Sequence, residues 1–203
     1  MAVDFNKFKT APLAIASYDY FDLATNQSFK DFYGSVDVDL NATLSGNNSE
    51  SNYLYSEGGT TERNFDYVFG VPLVLSGKLL ITATVDTISA GSGGATTSAS
   101  FRVLKVNLAD AETELLGTMT TNTCGGASVS QSRRVVVGGE ISETIFKPGE
   151  KLRIEAIINA GGSAVSFRLY HDPVNRGIPS NDAVTGVPPA TTLKVTIPFK
   201  TQQ

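Results

Sequence analysis

Lys147-Pro148-Gly149-Glu150, followed by Lys151-Leu152-Arg153-Ile154-Glu155-Ala156-Ile157-Ile158-Asn159, is the stretch that decides the fold class. Proline presets one backbone torsion and glycine supplies a permissive one, so the first four residues read as a tight turn. The nine that follow read as a strand. Upstream, residues 134–146 read as a second strand, with Gly138-Gly139 inside it as an expected bulge or bend. Downstream, Ala160-Gly161-Gly162-Ser163 is expected to return the chain as a hairpin into Ala164-Val165-Ser166-Phe167-Arg168-Leu169-Tyr170.

The same reading extends in both directions. Val36-Asp37-Val38-Asp39-Leu40-Asn41-Ala42-Thr43-Leu44 alternates strictly, the pattern of a half-buried strand. Residues 78–85 form a more apolar run. Residues 100–108 alternate after a Gly-rich loop, with 115–121 as their expected hairpin partner, and Thr192-Leu193-Lys194-Val195-Thr196-Ile197-Pro198-Phe199 closes the chain. No window of eleven or more residues keeps helical spacing. About eight strands joined by turn chemistry, with long crossing loops at 46–64 and 171–191, predict an all-β fold. The expected architecture is a jelly-roll-like antiparallel β-sandwich over residues 36–203. Residues 1–35 are aromatic-rich and poorly periodic. They are read as an N-terminal arm that packs on the sandwich or on a neighbouring subunit.

Composition bounds the function. The chain has 203 residues, 41% of them hydrophobic, enough for a core in one large all-β domain. Its 16 basic and 20 acidic residues leave a net charge of −4, which argues against a nucleic-acid partner. No run approaches a membrane helix, so no membrane partner is expected. The segment Met1-Ala2-Val3-Asp4-Phe5-Asn6-Lys7 lacks a signal-peptide pattern, and the expectation is a protein made in a cytoplasm. The lone Cys124 makes no internal disulfide and, by itself, no metal site.

Residues with chemical potential are few. His171, the one histidine, precedes Asp172, but neighbours on a strand end point to opposite faces and make no dyad. Asp37 and Asp39 share a strand face, as a cation or glycoside site would need, and equally suit a solvated face. Gly91-Ser92-Gly93-Gly94 lacks the Lys-Ser/Thr of a phosphate loop and precedes a strand. No catalytic residue, metal ligand or cofactor is therefore assigned, and the chain is read as a non-enzyme. Candidate partner-binding residues are Phe5, Phe8, Tyr18, Tyr20 and Phe21 in the arm, with the basic doublet Arg133-Arg134. Tyr53 and Tyr55, in an Asn/Ser-rich segment without any tryptophan nearby, are the candidates for the alternative reading, a glycan-binding module.

Phe146-Lys147-Pro148-Gly149-Glu150-Lys151-Leu152-Arg153-Ile154 resembles the strand–turn–strand corner of jelly-roll modules, among them carbohydrate-binding domains and viral structural proteins. Phe167-Arg168-Leu169-Tyr170-His171-Asp172-Pro173 is similar to segments of jelly-roll virion proteins of tailed bacteriophages. With residues 71–108 the resemblance covers about half the chain. It implies a capsid decoration or cement protein, a homotrimer located in the virion, whose partners are itself and a capsid or other virion protein.

Overall fold

Among the described residues, the alternation of apolar and polar residues becomes thirteen strands in two antiparallel sheets. The structure, a computed structural model, describes residues 20–22, 27–34, 40–41, 53–89, 96–122, 124–125, 131–161, 165–171 and 193–200. The strands are β1 (Tyr20–Asp22), β2 (Gln27–Gly34), β3 (Leu40–Asn41), β4 (Tyr53–Glu57), β5 (Gly59–Val68), β6 (Leu73–Ser89) and β7 (Thr96–Val106). They continue with β8 (Glu112–Thr120), β9 (Cys124–Gly125), β10 (Gln131–Phe146), β11 (Lys151–Ala160), β12 (Val165–Tyr170) and β13 (Leu193–Lys200).

The 8-stranded sheet runs β1-β2-β13-β6-β12-β4, with β10 on β6 and β3 on β2. The 5-stranded sheet runs β5-β11-β7-β8, with β9 on β7. β10 occupies one edge of β6 from Leu73 to Thr87. β13 and β12 therefore share its other edge, β13 with Leu193 opposite Ala83 and β12 with Tyr170 opposite Thr84. They are two pieces of one strand line, broken between neighbouring positions of β6. β2 against β13 and β4 against β12 form a second broken line beside it. With each broken line taken as one strand, first pairs with eighth, β5 with β11, β6 with β10 and β7 with β8. That is a long antiparallel hairpin rolled up on itself, and it makes the sandwich jelly-roll-like in strand order.

The core lies between the sheets. Leu152, Ile154, Ala156 and Ile158 alternate inward from β11, and Leu79, Ile81, Ala83 and Val85 from β6. Phe65, Phe101 and Phe167 fill the space between them. The turn after β10 forms as its residues dictate: Glu150 N–H donates to the Lys147 carbonyl at 3.1 Å and Gly149 takes φ +86°, the signature of Pro-Gly in a type II turn. Gly149 N–H also reaches the Phe69 carbonyl at 2.7 Å, pinning the turn to the end of β5.

Four expectations need correction. Most of the described part of the expected loop at 46–64 is strand, β4 and the first half of β5, since residues 53–57 pair with β12 and residues 59–68 with β11. Residues 27–34, assigned to the arm, are an integral strand of the larger sheet, and Phe32 is core. β11 and β12 do not form a hairpin: β11 lies in the smaller sheet and β12 in the larger. Gly138-Gly139 is not the bulge, since both keep register with Leu80 and Leu79; the irregularity falls between Ile141 and Thr144. Glycine is needed at 138 for another reason. A Cβ there would collide with the Leu79 carbonyl oxygen and lie 2.7 Å from Leu80 Cδ2.

Candidate binding surface

Strand parity sends every second residue of the larger sheet outward. On β12 these are Ser166, Arg168 and Tyr170; on β4, Tyr53 and Tyr55; on β6, Thr84 and Asp86. Register aligns them in two rows. Ser132, Asp86, Arg168 and Tyr55 form one, and Arg134, Thr84, Tyr170 and Tyr53 the next.

The rows interlock. The Arg168 guanidinium carbon lies 4.9 Å from the Tyr53 ring centroid and 5.9 Å from that of Tyr55. The Tyr53 ring stands edge-on to Tyr170 at 5.8 Å and to Tyr55 at 6.5 Å. Burial pushes the Tyr170 hydroxyl to a higher pKa, a shift that its hydrogen bond from Arg168 only partly opposes. Burial works to lower Arg168, but Tyr170, Tyr53 and Asp86 outweigh it and hold the guanidinium firmly charged. Tyr55 remains 40% exposed. Chemically this is a cation seated among aromatic rings, with one ring presented to solvent.

The outer face of the smaller sheet is different, because its charges satisfy one another across strands. Arg153 grips Asp66 with two bonds of 2.8 Å and reaches Glu112 at 2.6 Å. These partners raise its pKa further, Asp66 foremost. Arg102 bridges Glu155 at 2.8 Å and Glu114 at 3.4 Å.

His171 closes the break between β12 and β13. It is fully buried, its ring 5.2 Å from that of Phe65. Nη1 of Arg63 lies 2.9 Å from Nε2. An arginine can only donate, so Nε2 is the acceptor of this bond. This histidine caps an arginine inside the sandwich.

Of the other residues singled out from sequence, Arg133 and Arg134 are both exposed on β10 but lie on opposite faces of it, opposite Val85 and Thr84, on the other side of β6 from Tyr53 and Tyr55. Tyr20 and Phe21 belong to β1, at one end of the larger sheet. Phe5, Phe8, Tyr18, Asp37, Asp39 and residues 91–94 lie outside the described residues. Among the described residues no group of three His, Cys, Asp or Glu could hold a metal ion. Sequence reasoning missed Arg168, Tyr170 and Asp86. The alternation Phe167-Arg168-Leu169-Tyr170 does put arginine and tyrosine on one face, but the strands that flank them are set by tertiary register.

No protein-family model and no curated protein matches this chain. Solved structures do. A CocE/NonD family hydrolase from Staphylococcus aureus aligns with TM-score 0.55 and 10% identity over 87% of this chain and 37% of its own. An aminopeptidase from a marine sediment Thaumarchaeota archaeon gives 0.55 and 9%, over 91% and 38%. An alpha-amino acid ester hydrolase gives 0.53 and 10%, over 84% and 36%. At these identities the likeness is one of fold: the chain is an antiparallel β-sandwich spanning little more than a third of each of those proteins. Weaker likenesses, to infectious bursal disease virus at TM-score 0.34 and to a xylan-binding domain of Paenibacillus barcinonensis at 0.29, favour neither a shell nor a sugar.

Proposed function

We propose that this chain is a non-catalytic structural protein working through protein–protein contacts, and specifically a decoration or cement protein on a virion shell. The observation that carries the reading is the position of β1. β1 stands at one end of the larger sheet among the described residues, and Phe5, Phe8 and Tyr18 precede it in the sequence. Aromatic side chains are effective anchors in protein interfaces. Stable attachment needs about 1,200–2,000 Å² of buried surface, and an aromatic segment of this length supplies a large share of it. The resemblance around Phe146–Ile154 and Phe167–Pro173 supports the shell as the partner.

The test compares the full chain with residues 20–203 in co-sedimentation with isolated shells. Loss of attachment by the shortened chain, with its melting transition kept, is expected. Attachment of both to the same extent would remove the reading.

A glycan-binding module is the second reading, favoured by Tyr55 standing 40% exposed beside Tyr53. Against it, Arg168 already stacks on both rings. A glycan array with the wild type and Tyr55→Ala, blank for both, would exclude it.

A further inference from the structure

β10 is the longest strand but one, and among the described residues it pairs with β6 alone. A long edge strand is a template for another strand, and proteins ordinarily blunt it with edge charges, proline, inward charges or bulges. β10 carries Arg133 opposite the core residue Val85 and the edge charges Arg134 and Glu140, but from Arg134 to Glu140 it has no proline, no inward charge and no bulge. Its irregularity lies beyond, after Ile141, and there the Ser142 and Ile145 carbonyls are engaged by Thr144 and Lys105. The run 134–140 instead exposes Val136 at 60%.

The order of residues in this run is self-complementary. Laid antiparallel against itself about Val137, Arg134 faces Glu140, Val135 faces Gly139 and Val136 faces Gly138. Opposite residues of an antiparallel pair share a sheet face. Arg134 and Glu140 stand opposite the outward Thr84 and Lys78 of β6, and both are exposed. The twofold would therefore bring each arginine onto the glutamate of the other copy, on the outer face, twice. Valine would meet glycine at four of the five positions between, with Val137 facing its own copy at the centre, which lets two strands approach closely. The glycines are already required inside the subunit by Leu79, Leu80 and Leu116. Of the two charges, Glu140 already has Lys78 across from it on β6, while Arg134 stands across from the uncharged Thr84.

We propose that a second copy of this chain pairs with β10 of the first, antiparallel about Val137, and joins the two larger sheets into one across a twofold axis. The interface is isologous and closes at two copies, in place of the threefold association the resemblance implies. It does not depend on the shell reading, since it forms between copies in solution.

The experiment is sedimentation velocity of the full chain at micromolar and at several hundred micromolar concentration, for the wild type, Arg134→Glu, Glu140→Arg and the double exchange. Thermal melts confirm folding, which these exposed positions leave intact. The wild type is expected to reach a dimer. Each single reversal sets two like-charge pairs face to face and is expected to weaken dimerisation by roughly thirtyfold or more. The double exchange restores the pairs with reversed polarity and is expected to recover most of the affinity. A monomeric or trimeric wild type, a single reversal without effect, or a double exchange as weak as the singles overturns the proposal.

Discussion

Arg63, on the edge strand of the smaller sheet, donates from Nη1 to Nε2 of His171, on the larger sheet, across 2.9 Å. The bond spans the sandwich where both strand lines of the larger sheet are broken. Leu193, Phe65 and the Cβ of His171 itself crowd the same point, all within 3.2 Å of where a Cβ on Gly34 would lie. His171→Ala should therefore leave a void beside Phe65 and take an acceptor from Arg63, at a cost of about 2–4 kcal/mol. Urea unfolding monitored by circular dichroism checks this. His171→Gln, which keeps an acceptor, should lose less.

Gly138→Ala tests the close approach of β10 to β6. The added methyl meets the Leu79 carbonyl, which is backbone and cannot turn aside. A loss of about 1–3 kcal/mol is expected, visible as a lower urea midpoint. Gly59→Ala, where a Cβ would meet nothing within 4 Å, serves as the control with little change.

Arg153→Lys probes the ion-pair lattice on the smaller sheet. Lysine keeps the charge but not the fork that grips both Asp66 oxygens. Both side chains are 19% exposed, so solvent screens the pair only in part. A destabilisation of about 1 kcal/mol is expected, smaller in high salt.

Glu150 carries the pH dependence. The hydrogen bond from Lys105 and that from the Lys147 backbone hold its carboxyl below the ordinary value of 4.5. A carboxylate depressed by folding stabilises the native state above its unfolded pKa, and the contribution fades as pH falls through the folded value. Glu150→Gln should thus lower the melting temperature by a few degrees at pH 7, and the gap from wild type should narrow below about pH 4.5. A gap of constant size down to pH 3 would assign the effect to packing alone.

Local chemistry made some of this legible and hid the rest. The Pro148-Gly149 turn and the alternation of residues 151–159 reported the fold class directly, because period and turn type are local properties. The crossover after Ala160 was not legible, since glycines that suit a hairpin equally suit a chain changing sheets. Nor was the place of residues 27–34, where Phe29, Phe32 and Tyr33 hide the alternation and only pairing with β13 makes a strand. The site divides in the same way. Tyr53 and Tyr55 were visible as aromatics two apart, while Arg168 joins them only through the register of β12 against β4.

The most direct test of the central claim is amide hydrogen exchange of the full chain, free, with isolated shells, and with a glycan library. Action through protein contacts predicts slowed exchange in residues 1–22 on adding shells, with residues 53–57 and 165–170 unchanged by sugars. Protection of residues 53–57 and 165–170 by a sugar, with none anywhere on adding shells, would contradict it.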